Sequence, residues 1–276
     1  MTASETSDSN AAQMKSTSYL LPALDEEFIL GDSMRGVRFL LEYAKAEERL
    51  RAWGVASTIV VFGSARVMPH GEADEAAATA PLPPGAKPRP GRSSARWYEE
   101  ARRFGRIVSE RGGALLSGPD GARHNVIATG GGPGVMEAAN RGASDVGAPS
   151  IGFNITLPLE QEPNAYSTPD LTFRFHYFAM RKMHLAMRAR ALVVFPGGFG
   201  TLDEMFEILT LVQTHKMEPV PIVCFDEGYW KRLIDFDLLV DEGMISLRDV
   251  EFLTFADDAE EVWGKLVAAG ISLPGA

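Results

Sequence analysis

The stretch of this chain best suited to chemistry is Pro196-Gly197-Gly198-Phe199-Gly200-Thr201-Leu202-Asp203-Glu204. It follows a short apolar run, Ala191 to Phe195, that reads as a buried strand. It leads into Met205 to Val212, whose apolar spacing fits a helix. A strand, a tight glycine turn and a helix start make an anion site. Gly197, Gly198 and Gly200 let the backbone approach a phosphate, and the free amides of the first helical turn point at it with the helix dipole behind them. Thr201 adds a hydroxyl. Glu204 sets a carboxylate one turn into the helix, where a bound phosphate would repel it, so it is a candidate for chemistry rather than for binding.

Two more strand ends carry small residues: Gly63-Ser64, after the apolar run Thr58 to Phe62, and Gly130-Gly131-Gly132-Pro133-Gly134, after Asn125 to Thr129. Glycine after a strand is often only a turn, but three such turns in one sheet line one edge and point to a shared ligand. None is a dinucleotide fingerprint, and no G-x-x-x-x-G-K-[ST] occurs, which disfavours nicotinamide and nucleoside-triphosphate enzymes. Charge placement adds to this. From Leu171 to Leu202 there is no Asp or Glu, yet Arg174, Arg181, Lys182, Arg188 and Arg190 all lie there. Arg188 and Arg190 read as a solvated helix face. Arg181 and Lys182 follow the apolar His176 to Met180 and are better placed to clamp a phosphate or hold a leaving group. The five histidines form no metal motif, and no nucleophile elbow is present.

The elements that must position these residues follow from the rest of the chain. It has 276 residues, 45% apolar, enough for one large α/β domain or two small ones. With 27 basic and 37 acidic residues the net charge is −10, which argues against nucleic acid or an anionic membrane as partner. The single cysteine, Cys224, lies in an apolar run, suits a reducing cytoplasm and reads as a packed thiol. No apolar run nears the roughly 20 residues of a membrane span. Met1 to Ser18 is polar, without a basic start or apolar core, and is expected to be a disordered tail with no secretory signal. Helices are expected at Arg35 to Trp53, with Val37, Leu40, Leu41, Tyr43, Ala44 and Leu50 facing inward, and at Ala95 to Arg111, His176 to Arg190, Thr201 to Thr214, Tyr229 to Glu242 and Ala259 to Ala269. Strands are expected at Ser150 to Phe153 and Val220 to Phe225 as well. Alternation of strand and helix predicts one doubly wound, Rossmann-like α/β domain over residues 19–276 with a mostly parallel sheet and its ligand at the carboxyl ends of the strands. The Pro- and Ala-rich Met68 to Ser94 reads as a mobile surface insertion, and Ala114 to His124 as a second, smaller one.

Three segments together, Gly130 to Asn140, Phe175-His176-Tyr177-Phe178-Ala179-Met180-Arg181-Lys182, and Pro196 to Glu204, resemble the LOG ("Lonely Guy") phosphoribohydrolases, long labelled lysine decarboxylases. The resemblance runs from about Thr58 to Ala268 and is closest to the longer bacterial group. It implies a Rossmann-like sheet and hydrolysis of the N-glycosidic bond of AMP or N6-substituted, cytokinin-type AMP, releasing base and ribose 5-phosphate. It also implies a homodimer or larger assembly with the site near the subunit interface. The family's catalytic arginine falls on Arg181 and its catalytic glutamate on Glu204. Shorter members have Met-His-Glu before the Arg-Lys pair where this chain has Phe178-Ala179-Met180, which leaves the preferred base open.

The implied chemistry assigns the remaining candidates. Cleaving a ribosyl bond passes through an oxocarbenium-like sugar, which a carboxylate such as Glu204 stabilises while taking a proton from water. Gly197, Gly198, Gly200 and Thr201 would hold the 5′-phosphate, with Gly63 and Ser64 on the same edge. Gly132 and Gly134 would meet the ribose or the second edge of the phosphate, and Lys182 would add charge. Glu137 could bond ribose hydroxyls or simply balance a helix dipole. No metal or organic cofactor is called for. Two rivals stay open: a nucleosidase for other nucleoside 5′-monophosphates, and a non-catalytic molybdenum-cofactor carrier with a similar Pro-Gly-Gly-x-Gly-Thr turn. A carrier would need the glycines but not both Arg181 and Glu204.

Overall fold

The computed structural model describes residues 10–69, 94–115, 121–157, 162–271 and 273. Most of the Met68 to Ser94 stretch, and 116–120 of the smaller one, lie outside them. The chain divides into two compact units, the first ending at Lys45 and the second beginning at Ala46, so the expected domain over 19–276 takes in parts of both.

In the first unit a short helix, Ala11–Lys15, falls within the stretch expected to be a disordered tail. A second, Glu26–Leu30, starts on Asp25, whose carboxylate accepts from the Phe28 amide at 3.0 Å. Arg38 caps its other end, donating to the carbonyls of Ile29 and Gly31. Arg38 belongs to helix α1 (Arg35–Ala52), inside which the unit boundary falls. The inner face expected for α1 needs correction. Leu50 is buried, but Val37, Leu40 and Leu41 are 43, 62 and 52% exposed, because the buried side chains of α1 are confined to Ala46, Glu47 and Leu50 near its end.

The second unit is a seven-stranded sheet, all parallel, in the order β4-β3-β2-β1-β5-β6-β7. The strands are β1 (Thr58–Phe62), β2 (Val126–Thr129), β3 (Ser150–Ile155), β4 (Thr172–Phe175), β5 (Ala189–Val194), β6 (Ile222–Phe225) and β7 (Leu253–Ala256). Continuous burial along β1, β2 and β6 explains why their sequences read as unbroken apolar runs. Helices α2 (Ser94–Arg111), α3 (Val135–Asp145), α4 (Phe178–Met187), α5 (Phe199–Gln213), α6 (Glu227–Leu233), α7 (Phe236–Asp241) and α8 (Ala259–Ala268) make the connections. Strands β2 to β4 lie on one side of β1 and β5 to β7 on the other. The order therefore reverses between β1 and β5, and their outgoing turns part there, opening a crevice at the carboxyl ends.

Two strands were not expected. β4 and β7 are four-residue edge strands, and β4 alternates partly exposed with buried side chains, a pattern too short to stand out. The single helix expected at Tyr229 to Glu242 is two, because Asp235 turns extended and its carboxylate caps α7 at the Leu238 amide, 3.0 Å away. α4 is also shorter than expected, as β5 begins two residues early, at Ala189.

Arg188, expected on a solvated face, is instead a buried structural cation. Its guanidinium meets both oxygens of Glu47 at 2.9 Å, and its Nε donates to the Val55 carbonyl. Hydrogen bonding to Arg188 is the main reason the Glu47 carboxyl is held below its ordinary value of 4.5, against the opposing effect of burial. A carboxylate with a lowered native pKa stabilises the fold fully above its unfolded value and loses that contribution as pH falls through the native one. Arg51, 2.6 Å from Glu47, would remain as a partner, so Arg188→Ala should cost about 2 kcal/mol at pH 7 in urea denaturation. That deficit should begin to shrink only below about pH 4.5.

Candidate active site

Three turns leave the carboxyl ends of β1, β2 and β5 and are stitched together by one residue. The Ser64 amide donates to the Pro196 carbonyl at 3.0 Å, and the Ser64 carbonyl accepts from the Val135 amide at 3.1 Å. The turns are pressed so close that side chains are excluded. A Cβ on Gly134 would sit 2.3 Å from the Ser64 oxygen, and the φ of Gly134, +74°, is one that side-chain-bearing residues rarely adopt. A Cβ on Gly197 would fall 2.1 Å from the Thr201 hydroxyl. The second turn is also pinned by buried amides. Asn164 donates from its side chain to the Gly132 carbonyl and from its backbone to Gly131. Asn154 donates to Gly131 O, and Thr129 accepts from the Gly131 amide while bonding Asn140 at 2.7 Å.

Between these turns lies a cleft of about 640 Å³ at the point where the strand order reverses. Its walls include Gly63, Ser64, Arg66, Met136, Arg181, Tyr229 and the run Gly197 to Leu202. A volume of this size is in the range that holds a small organic ligand. Gly198 is the cap residue of α5, and α5 opens directly onto the cleft with its first amides and dipole. Phe199 projects from this end almost fully into solvent, 93% exposed.

Glu204 lies one turn further along α5 and is only 3% exposed. Arg181, from α4, covers it: Nη2 stands 2.5 Å from Glu204 Oε1, and the guanidinium lies 5.4 Å from the Phe178 ring centre. Burial raises the Glu204 carboxyl above its ordinary value, and the charges of Arg181 and Lys182 offset this only in part. Lys182 turns the other way. Its ammonium sits 2.8 Å from both Asp203 and Glu207; burial works against its charge, but these two partners prevail and hold its pKa up. It thus ties α4 to α5 outside the cleft.

Of the residues singled out in the sequence, Gly63, Ser64, Arg181, Gly197, Gly198, Gly200 and Thr201 converge on the cleft, with Glu204 beneath Arg181. Gly132 and Gly134 shape the second turn rather than the cleft wall. Glu137 accepts from the Tyr98 hydroxyl at 2.7 Å, toward α2, and that side is away from the cleft lining. Sequence reasoning missed Tyr229, whose hydroxyl donates to the Gly197 carbonyl at 2.7 Å. Tyr229 is itself seated by Asp226, which caps α6 through the Tyr229 amide, adopts φ +68° and accepts from Trp97 Nε1 at 3.0 Å. Cys224 is buried against Met205, its thiol pushed up to about 12 by burial. Among the described residues no group of His, Cys, Asp and Glu could hold a metal ion, and no helix is long and apolar enough to cross a membrane.

Comparison with known proteins bears on the same residues. A family model described as "possible lysine decarboxylase" matches residues 136–266, which include both Arg181 and Glu204. Cytokinin riboside 5′-monophosphate phosphoribohydrolase LOG3 of Arabidopsis thaliana is 30% identical over 146 residues, spanning 51% of this chain and 66% of that protein. The chain is thus similar to the LOG proteins over the segment that carries both residues. LOG7 of the same plant is 39% identical over 85 residues, 30% of this chain and 38% of LOG7, so the matched part is well under half of that relative's length. The molybdenum cofactor binding protein of the phototrophic bacterium Rippkaea orientalis overlays with a TM-score of 0.45 at 17% identity, covering 79% of this chain and 97% of that one. That overlay is too loose to bear on what this chain binds.

The hydrogen bond from Tyr229 to Gly197 generates a test of how the glycine turn is held. Tyr229→Phe should cost about 1 kcal/mol of stability. The loss should show as a lower midpoint in urea denaturation.

Proposed function

We propose that the protein hydrolyses the N-glycosidic bond of AMP or N6-substituted AMP, releasing the free base and ribose 5-phosphate. The observation that carries this reading is a carboxylate, Glu204, buried behind Arg181, which itself lines a cleft whose rim is a phosphate-type glycine turn. A simple phosphate carrier has no use for that carboxylate. It is costly to bury and repels the ligand.

In this reading the 5′-phosphate rests on the amides at Gly198 and Gly200 and on the Thr201 hydroxyl, the Thr201 amide being bonded to the Gly198 carbonyl. Water attacks C1′ of the ribose, the C–N bond breaks, and its electron pair leaves with the base, which takes up a proton. Glu204 accepts the proton from the water and faces the cationic sugar as charge builds there. Arg181 balances Glu204 in the resting site and polarises the departing base. By the same reading the protein needs no metal or organic cofactor and acts in the cytoplasm as a homodimer or larger assembly.

The test is a panel of nucleoside 5′-monophosphates, including N6-substituted adenine ones, assayed for base and ribose 5-phosphate. Glu204→Gln should lower kcat by on the order of 10²–10³ while nucleotide binding persists or tightens. Because Glu204 acts ionised and its pKa is raised, the acid limb of kcat/KM should sit above pH 4.5, the ordinary carboxylate value. Tight binding with no base released from any nucleotide would refute the hydrolase.

A further inference from the structure

We propose that Arg66, in the turn after β1, is the cation that takes the 5′-phosphate of the substrate. The proposal rests on the nucleotide reading above and names a residue that neither the sequence motifs nor the glycine turn supplies.

The argument is one of charge. Among the described residues two arginines line the cleft, Arg66 and Arg181. Arg181 is engaged at 2.5 Å with Glu204, so its charge is largely spent on a buried carboxylate. Lys182 is held between Asp203 and Glu207 and lies outside the cleft lining. A phosphate monoester carries close to two negative charges near neutral pH. The end of α5 offers amides and a partial charge of roughly half a unit. In a chain of net charge −10 that leaves the dianion under-compensated. Among the described residues Arg66 is the remaining cation on the cleft wall: it is exposed, and its guanidinium makes no ion pair or hydrogen bond with any of them.

Its backbone is also placed for the task. The Arg66 amide donates to the Ser64 hydroxyl at 3.1 Å, closing a tight turn. Ser64 is in turn fixed to Pro196, the residue that opens the glycine turn, and Val67 on the other side of Arg66 is buried. Arg66 thus stands on a pinned stretch of chain that lines the same cleft as Gly198 and Thr201, and its planar fork can take two phosphate oxygens at once.

The experiment compares wild type, Arg66→Ala and Arg66→Lys in the full chain, using ribose 5-phosphate and ribose as calorimetric ligands and the preferred nucleoside monophosphate as substrate. Arg66→Ala should weaken ribose 5-phosphate binding at least about tenfold and raise KM by a similar factor, with kcat changed less than about threefold. Ribose binding should not move, the salt dependence of ribose 5-phosphate binding should flatten, and Arg66→Lys should recover part of the loss. Equal affinity of wild type and Arg66→Ala for ribose 5-phosphate would overturn the proposal. So would a loss shared equally by ribose, which would put Arg66 on the sugar. If wild type binds ribose 5-phosphate through Arg66 but cleaves no nucleotide, the hydrolase reading fails and the phosphate site stands. If it cleaves nucleotides and Arg66→Ala keeps the wild-type KM, only the Arg66 assignment fails.

Discussion

One residue of backbone, Ser64, decides whether there is a cleft at all. Its amide and its carbonyl each bond a different neighbouring turn, so the ends of β1, β2 and β5 are locked into one rim. The glycines on that rim then follow from geometry. With the Val135 amide on the Ser64 oxygen, nothing larger than hydrogen fits on Gly134. With α5 starting immediately beyond Pro196, the Thr201 hydroxyl takes the space a side chain on Gly197 would need. The turns are glycine-rich because three backbones converge, as well as because an anion is to be approached.

Behind the rim, charge is sorted into two layers. The outer acids of α5, Asp203 and Glu207, are answered by Lys182, and the inner one, Glu204, by Arg181. Adjacent cations on one helix therefore serve adjacent acids on the next without sharing. This division leaves Glu204 with a single close counter-charge in a buried setting, where its ionisation is sensitive to whatever else enters the cleft. A sugar that becomes cationic is the kind of guest such a carboxylate favours.

Much of this was legible in the sequence, and the failures share a cause. β1, β2 and β5 announce themselves because strands buried on both faces read as unbroken apolar runs, and glycine turns mark their ends. Arg181 and Glu204 were legible from the glycine motif and the acid-free stretch before it. Tyr229 and Asn164 were not, because each acts through a contact made across the fold, from a segment with no pattern of its own. Arg188 was misplaced for the same reason: its partner, Glu47, belongs to α1, far away in sequence. Periodicity also misled where apolar spacing continued without burial, as at Val37, Leu40 and Leu41.

The strand order has a consequence for how the molecule is made. β1 lies at the centre of the sheet, yet it pairs on one side with β2 and on the other with β5, Thr58 meeting Ala189. A chain emerging from the ribosome thus carries an apolar strand with one open edge until well over half of its length has been synthesised. Contacts of such range slow the search for the native state. The rim cannot close before β5 arrives, since Ser64 must wait for Pro196. The site is thus among the last features to form, and a fragment ending before β5 would have neither a completed sheet centre nor a place to bind.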